Sequence, residues 1–571
     1  MRGLLGKWKV SCDREAAGEP AWRHILESRG FKQKDYDEYL DPSFKQVKDP
    51  NILPGVTPAA KKIVKSIINK EPILVYGDYD VDGISGTSIL VRLIKTLDSE
   101  AKVEWVIPLR SGEGYGLHKK RIEEISKRGF KVLVTVDCGI TGHEEAEYAN
   151  SLGLSVIITD HHVIDRTKKF NDYVQVVHPQ IDDDCAENLC GAAVAWKLAW
   201  EITRIWKKSE QVGNTLQLFL LDALSMVALA TIADVMPLIG ENRSIVSLGL
   251  RHLPRASWIG IESIRNKLKI GFESKPVTSR DISFNIAPLI NAIGRLGDAA
   301  EAVELFVTDN EKKAKEITNK MYTLNNKRRS IQNKMILEAE SMASNLNMLA
   351  SSKSSIVIYK NNWNPGLMGI VAGRLTDKYN KPAFIMSNDQ GRIVGSARGT
   401  GQTSIYEILK IVSPNLIKFG GHKKAGGFSL LLEKKDIFIM ELEREISNFQ
   451  VSNKAKEIHV DCRVLLENIH KTDLDMIDKM RPFGEANREP VVCIKSKFPK
   501  SFILMGQSDD HIKFHFTQGK INIDVVWFNC SEHLHNIKEG RSFEAIGSLG
   551  WNIFRGKKTA QFQIQDIIFL N

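Results

Sequence analysis

Three aspartates set two residues apart, Asp78, Asp80 and Asp82 in ILVYGDYDVDGISGTS, are the side chains in this sequence best placed to do chemistry. Like charges so close repel one another unless a cation neutralises them, so the group reads as a metal site. An EF-hand also opens on D-x-D-x-D-G, but it needs a bidentate Glu at its twelfth position. The twelfth residue from Asp78 is Ile89, inside an apolar run, so that reading fails. A solvated acidic loop accounts for this motif alone, but not for the acids that follow it.

Ile73 to Gly77 reads as a short buried parallel strand, and Ile84 to Leu97 carries helical apolar spacing. A strand that runs into acids and a glycine before a helix places those acids at the carboxyl edge of a sheet, where open α/β folds bind ligands. The β-branched run KVLVTV (131–136) ends in Asp137, and SVIIT (155–159) ends in Asp160, His161 and His162. Asp234 interrupts the apolar segment MVALATIADVMPL. One Asp or His in such a place is usually a cap or a satisfied core residue; four such sites in one βα series point to a shared centre. Carboxylates with some imidazole and no thiolate pattern suit Mn²⁺ or Mg²⁺ better than zinc or copper. So many anionic oxygens exceed the needs of one ion and predict two ions sharing a bridging carboxylate. Centres of that type serve phosphoester hydrolysis.

At 571 residues the chain is too long for one core and predicts three or four domains. A formal charge of +10 favours a polyanionic partner. The 7 cysteines form no CxxC pair, which suits a reducing compartment. With no signal-like stretch in MRGLLGKWKVS, the expectation is a cytoplasmic protein. Leu216 to Ile239 is apolar enough to suggest a membrane span, but Asp222, Asp234 and Pro237 interrupt it. It reads instead as a buried helix leading to a strand that presents Asp234.

The expected fold class is α/β. Residues 1–50 form a helical lead-in, 51–310 a parallel-sheet metal domain, 311–349 a long polar connecting helix, and 350–450 a second α/β domain. Residues 451–571 read as short strands with aromatic and basic side chains interleaved, resembling an OB-type barrel for single-stranded nucleic acid. Lys513, Phe514, Trp527, Phe528, Trp551, Phe554 and Arg555 are its candidate contacts. Strand alternation requires about half of those aromatics to be core.

DYDVDG, VDCGI, TDHH and ALATIADVMPL resemble the four motifs of the DHH phosphoesterase superfamily. EGYGL, LCGAAVAWKL, APLINAIGRLG, GSARGT, FGGHKKAGGFS and RPFGEANREP then follow in the order found in its bacterial single-strand-specific exonucleases, over almost the whole chain. The resemblance implies that Asp80 and Asp82 each hold one of two Mn²⁺ or Mg²⁺ ions, with Asp78 beside the first. Asp137 would bridge both, and His161 and Asp234 would complete the coordination of the second ion. Asp160 would orient the histidines, and His162 would face the scissile phosphate. Asn291 and Arg295 would meet the substrate backbone. Ser396 and Arg398, with Gly421, His422 and Lys423 of a glycine-rich loop, resemble a DHHA1 substrate-binding domain that anchors the terminal nucleotide.

The activity so implied is 5′ to 3′ hydrolysis of single-stranded DNA from a free 5′ end, releasing 5′-mononucleotides in repair and recombination, without a covalent enzyme intermediate. A monomer working with a single-strand-binding protein and a RecQ-type helicase is the implied setting. Two departures stand out: Asn364 and Pro365 where relatives carry His after the Trp, and Cys138 where some carry Asn. A DHH hydrolase of short oligonucleotides or cyclic dinucleotides is one rival, but those relatives lack a C-terminal barrel. An inactive replication scaffold is another, but such chains have lost metal ligands that this one retains.

Overall fold

The structure is a computed structural model and describes all residues except 13–18, 110–114, 182–187, 273–274, 351–352, 390, 402–403, 449–456, 507, 518–520, 555 and 571. Arg555, Cys185 and the first two residues of EGYGL therefore lie outside the described residues.

The first sheet is wholly parallel, in the order β3 (Val103–Val106), β2 (Ile73–Gly77), β4 (Val132–Val136), β5 (Ser155–Thr159) and β6 (Gln175–Val177). Its central strands are apolar without alternation because helices cover both faces. Ile73, Val75, Val132 and Val134 face a helical core, while Leu74, Tyr76, Leu133 and Ile158 face a smaller cluster on the other side. Strand ends align across this sheet. Gly77 pairs with Val136, Val136 with Thr159, and Thr159 with Val177. The residues next in sequence, Asp78, Asp137, Asp160 and His178, therefore leave the carboxyl edge in one row.

Helices Ala21–Ser28 (α1) and Tyr36–Leu40 (α2) precede this sheet; Val81–Leu97 (α3), Gly191–Lys207 (α4), Asn214–Ala233 (α5) and Gly240–His252 (α6) belong to its core side. Among the described residues α5 is the one helix long and apolar enough to cross a membrane, but 78% of its apolar window is buried. It packs in the same core as α3, α4 and α6, which explains its lack of a polar stripe.

Asp234 does not sit on the strand expected from the sequence. It is the C-terminal cap of α5, and its amide donates to the Ala230 carbonyl at 2.9 Å. The apolar run lacked a polar face to reveal its period, and it ends in a helical turn.

Helix Ala287–Leu296 (α7) leads toward a long helix, Glu311–Asn345 (α8), of about 50 Å. Ala314, Ile317 and Met321 of α8 pack in the metal-domain core, whereas Met335, Ala339 and Ala343 pack against the second sheet. That sheet runs β10 (Lys418–His422), β11 (Ala425–Leu431), β9 (Arg392–Arg398), β8 (Ala383–Asp389), β7 (Ile356–Tyr359), with helix Pro365–Tyr379 (α9) against it.

The third sheet has eight strands: β1 (Lys7–Cys12), β12 (Glu457–Arg463), β13 (Val492–Lys497), β17 (Ser542–Phe554), β18 (Lys557–Phe569), β16 (Ile523–Trp527), β15 (His511–Phe516) and β14 (Ile503–Met505). It holds the C-terminal barrel anticipated from the sequence, with one addition. The lead-in is not only helical, because β1 pairs in parallel with β12. Ile25, Leu26, Tyr36 and Tyr39 of α1 and α2 share a core with Cys462, Leu474 and Val492.

Candidate metal centre and nucleic-acid interface

The aligned strand ends gather the acids by register rather than by local sequence. Asp78, Asp80 and Asp137 bring ligand atoms within 4.8 Å of one another, and so do Asp82, His161 and Asp234. Asp137 joins the two groups: its Oδ1 lies 3.1 Å from His161 Nε2, which is also 3.5 Å from Asp82 Oδ2 and 3.7 Å from Asp234 Oδ2. Neighbouring ligands on an octahedral ion at 2.0–2.1 Å are about 3 Å apart, so this spacing fits a shared cation. Both Asp137 Oδ1 and His161 Nε2 are buried and make no hydrogen bond, as expected of atoms reserved for a metal.

The electrostatics agree. Burial, then the charges of Asp82, Asp80 and Asp78, push the Asp137 carboxyl well above its usual range. Burial, then the charges of Asp82 and Asp80, raise Asp234 to about 8. Burial lowers His161, leaving a neutral imidazole able to ligate. Carboxylates crowded to this degree are stable as anions only beside cations, and their chemistry suits Mn²⁺ or Mg²⁺.

Local structure fixes each ligand. Asp80 caps α3, accepting from the amides of Asp82 at 2.9 Å and Gly83 at 3.3 Å. Asp82 accepts from the amides of Gly191 and Ala192, each at 2.7 Å, at the start of α4, where the helix dipole favours an anion. Gly191 permits that approach: a Cβ there would lie 2.6 Å from the Asp137 Cβ.

Asp160 faces the histidines rather than the acids. Its Oδ1 accepts from the His161 amide at 2.7 Å and meets His162 Nδ1 at 2.7 Å, and its Oδ2 accepts from the Ile140 amide at 2.9 Å. Burial works against its charge, but these hydrogen bonds win and hold its carboxyl low. An ionised Asp160 can only accept, so Nδ1 of His162 carries a proton. Burial likewise opposes charge on His162, yet Asp160 overrides it and raises the imidazole to about 9. Nε2 remains for the opening of the site.

Two further residues reach this centre. Tyr115 donates to the Asp137 carbonyl at 3.3 Å, and its hydroxyl stands 3.0 Å from His162 Nδ1. Its place in EGYGL was the available signal. His178, fully buried, donates from Nε2 to the His162 carbonyl at 2.9 Å while Nδ1 accepts from the Gln180 amide at 3.0 Å. Only its place after a strand, in register with Asp160, marks it.

Asn291 and Arg295 lie one turn apart on α7. Gly294 between them packs against the Tyr79 carbonyl, which brings this face to the acidic loop. Arg295 Nη1 donates to the Gly366 carbonyl at the start of α9, so this side chain ties the two α/β domains together. Asn364 caps α9 by accepting from the Gly366 amide at 2.8 Å, a structural use for the residue that follows Trp363.

On the second sheet, Ser396 and Arg398 project from β9, and Arg398 Nη1 contacts Ser396 Oγ at 3.3 Å and the Ala397 carbonyl at 2.8 Å. The expected glycine-rich loop is instead a β-hairpin: Gly421 pairs with Gly426 and His422 with Ala425. Glycines here let strands approach closely. The exposed His422 and Lys423 stand at the hairpin end, and Arg398 pairs with Ala425 in the next strand over.

In the barrel, two candidate contacts are corrected. Phe514 and Trp527 are core residues, 1% and 5% exposed. Phe514 packs among Phe498, Phe516 and Phe543, and Trp527 against His533 and Phe569, because both point inward on their strands. Lys513 pairs with Asp524 at 2.8 Å. Phe554 is 66% exposed and Phe528 is exposed edge-on to His511. Trp551 is half-buried, with Lys558 Nζ 4.4 Å above its ring. A cleft of about 900 Å³ runs between barrel and metal domain, lined by Arg280, Phe284, Arg481, Arg488, Trp551 and Lys558.

A parallel sheet with a carboxylate–imidazole centre at its carboxyl edge, followed by a second α/β domain, defines a phosphoesterase of the DHH–DHHA1 class. Sequence profiles agree: the DHH family N-terminal domain matches residues 72–231, the DHHA1 domain 352–448, and the RecJ OB domain 460–566. The chain is 31% identical over 557 residues to the single-stranded-DNA-specific exonuclease RecJ of Bacillus subtilis, covering 96% of this chain and 68% of that protein. It superposes on RecJ from Thermus thermophilus in complex with Mn²⁺ with a TM-score of 0.79 and 27% identity, over 99% of this chain and 80% of that one. The Mg²⁺ complex of the same protein gives 0.73 and 26%, over 99% and 79%. The chain belongs to the RecJ family.

Proposed function

We propose that this protein is a metal-dependent exonuclease specific for single-stranded DNA, working from the 5′ end and releasing 5′-mononucleotides in repair and recombination. The observation that carries this reading is the pair of ligand groups joined through Asp137, in a chain 31% identical to a single-strand-specific exonuclease. Asp78, Asp80 and Asp137 would hold one Mn²⁺ or Mg²⁺ ion; Asp137, Asp82, His161 and Asp234 would hold the other. Bound there, the pair would neutralise phosphate charge and activate a water.

The protein's own residues supply the rest. His162, held through Nδ1 by Asp160, presents Nε2 to the scissile phosphate. Asp160 and Tyr115 fix its ring, and His178 fixes its backbone. Asn291 and Arg295 face the substrate backbone, and Ser396, Arg398, Gly421, His422 and Lys423 form an anion-binding surface for the terminal nucleotide. Phe554, Trp551 and Lys558, with the cleft beside them, would carry the following strand through stacking and phosphate contacts. Binding at the 5′ end by a monomer in the cytoplasm, alongside a single-strand-binding protein and a RecQ-type helicase, is the setting this reading implies.

Release of mononucleotides from a 5′-labelled single strand with Mn²⁺, against a blunt duplex control, tests the proposal. Mononucleotides from the single strand alone are the expected result. No release would overturn it, and cleavage confined to very short oligomers would favour a small-substrate hydrolase.

A further inference from the structure

Helix α5 hands the chain to the metal centre through a strained turn. The Met236 amide donates to the Thr231 carbonyl at 3.0 Å and the Val235 amide to the Ile232 carbonyl at 3.2 Å, which is the Schellman pattern. That pattern places the residue after Asp234 in the left-handed region, where glycine is usual. Val235 occupies it, with φ of 56°. A β-branched residue is strained there, and such outliers cluster where function retains them.

Packing does not explain this valine. The residue is 64% exposed, although the backbone on both sides is held. The Asp234 amide bonds back into α5, and the Leu238 amide donates to the Glu485 carbonyl at 2.8 Å. An isopropyl group is thus held out to solvent beside the carboxylate that faces His161. Val163, directly after His162, is likewise exposed, at 84%.

We infer that Val235 is a substrate-positioning residue, its isopropyl group packing on the apolar surface of the nucleotide whose phosphate is cut. The inference rests on the exonuclease reading and deepens it. The phosphate is gripped by charge; the carbons beside it need an apolar wall to fix the strand's angle of approach. Base and deoxyribose both offer such carbons.

Val235→Gly removes the side chain and relieves the turn, while Val235→Ala removes two methyl groups and keeps a Cβ. With Mn²⁺ and a 5′-phosphorylated single strand, both variants should raise KM roughly fivefold to tenfold with kcat nearly unchanged. Val235→Gly should melt no lower than the wild type. Affinity for a short 5′-phosphorylated strand in EDTA, read by fluorescence anisotropy, should fall by a similar factor in both. An abasic first nucleotide identifies the contact: a vanished difference assigns the base, a persistent one the deoxyribose. Wild-type KM and affinity in both variants would overturn the inference. So would a defect in Val235→Gly that Val235→Ala lacks, since turn stiffness around Asp234 would then be the cause. A wild type that leaves single strands intact would instead defeat the exonuclease reading, and the EDTA binding comparison would still judge Val235.

Discussion

Asp137 is the side chain on which both ligand groups depend, and its removal separates chemistry from binding. Asp137→Ala should lower cleavage by roughly 10²–10³-fold or more, while single-strand affinity in EDTA stays near wild type. A variant keeping a tenth of the activity would refute its bridging role. The raised carboxyls also predict a pH response. Asp137 and Asp234 hold protons in the folded, metal-free protein at pH values where the unfolded chain has lost them. Stability of the metal-free protein should therefore fall as pH rises from about 6 to 8, the window set by an Asp234 value of about 8. The raised His162 acts in the same direction. Mn²⁺ should flatten this dependence and release protons on binding, measurable by calorimetry in buffers of different ionisation enthalpy. A metal-free melting temperature that rises over that range would contradict the assignment. In the barrel, Phe514→Ala should cost about 3–5 kcal/mol of stability. Phe554→Ala should change stability little and weaken strand binding instead.

Elements place these residues, and the sequence shows some placements better than others. Three strands of the first sheet, β2, β4 and β5, are legible because they are buried apolar runs and each leads into an acid; β3 and β6 are short, lead into Ile107 and His178, and carry no such signal. Asp234 reads as strand-borne in the sequence because α5 is apolar all round and offers no period, so its end looks like a strand. The strand Lys7–Cys12 does alternate, with Trp8, Val10 and Cys12 on one face, yet its partner lies some 450 residues away and nothing local announces it. Phe514 and Phe554 are equally aromatic in the sequence; only strand register separates core from surface. His178 escaped because a single His before a proline is usually structural. Helix α4 yields a test at this scale. Gly191→Ala would drive a Cβ to 2.8 Å from Asp137 Oδ1 and displace the amides that hold Asp82. Activity should drop at least tenfold, with far-ultraviolet dichroism unchanged and weaker Mn²⁺ binding by calorimetry. Wild-type metal affinity in this variant would mean the α4 terminus does not shape the centre.

Across the whole molecule, the two ends of the chain close on each other and bracket the catalytic domains. Asp461, fully buried on β12, accepts from Arg29 at 3.0 and 3.2 Å, from Arg488 at 2.8 Å and from the Val491 amide at 2.8 Å. Arg243 of α6 continues the connection, donating to the carbonyls of Tyr39 at 2.9 Å and Met480 at 2.9 Å. The lead-in and the barrel therefore behave as one cooperative unit laid against the metal domain, although some 400 residues separate them in sequence. Removing one partner of a buried charge pair costs about 3–5 kcal/mol because the other charge is left without compensation. Asp461→Ala should accordingly loosen residues 19–46 and 457–569 together, seen as a joint loss of amide-exchange protection. The metal domain should keep its protection and its cleavage of short strands, while affinity for long strands falls and its salt dependence flattens as phosphate contacts are lost. Loss of protection in the barrel with the lead-in unchanged would show two independent units and would disprove this coupling.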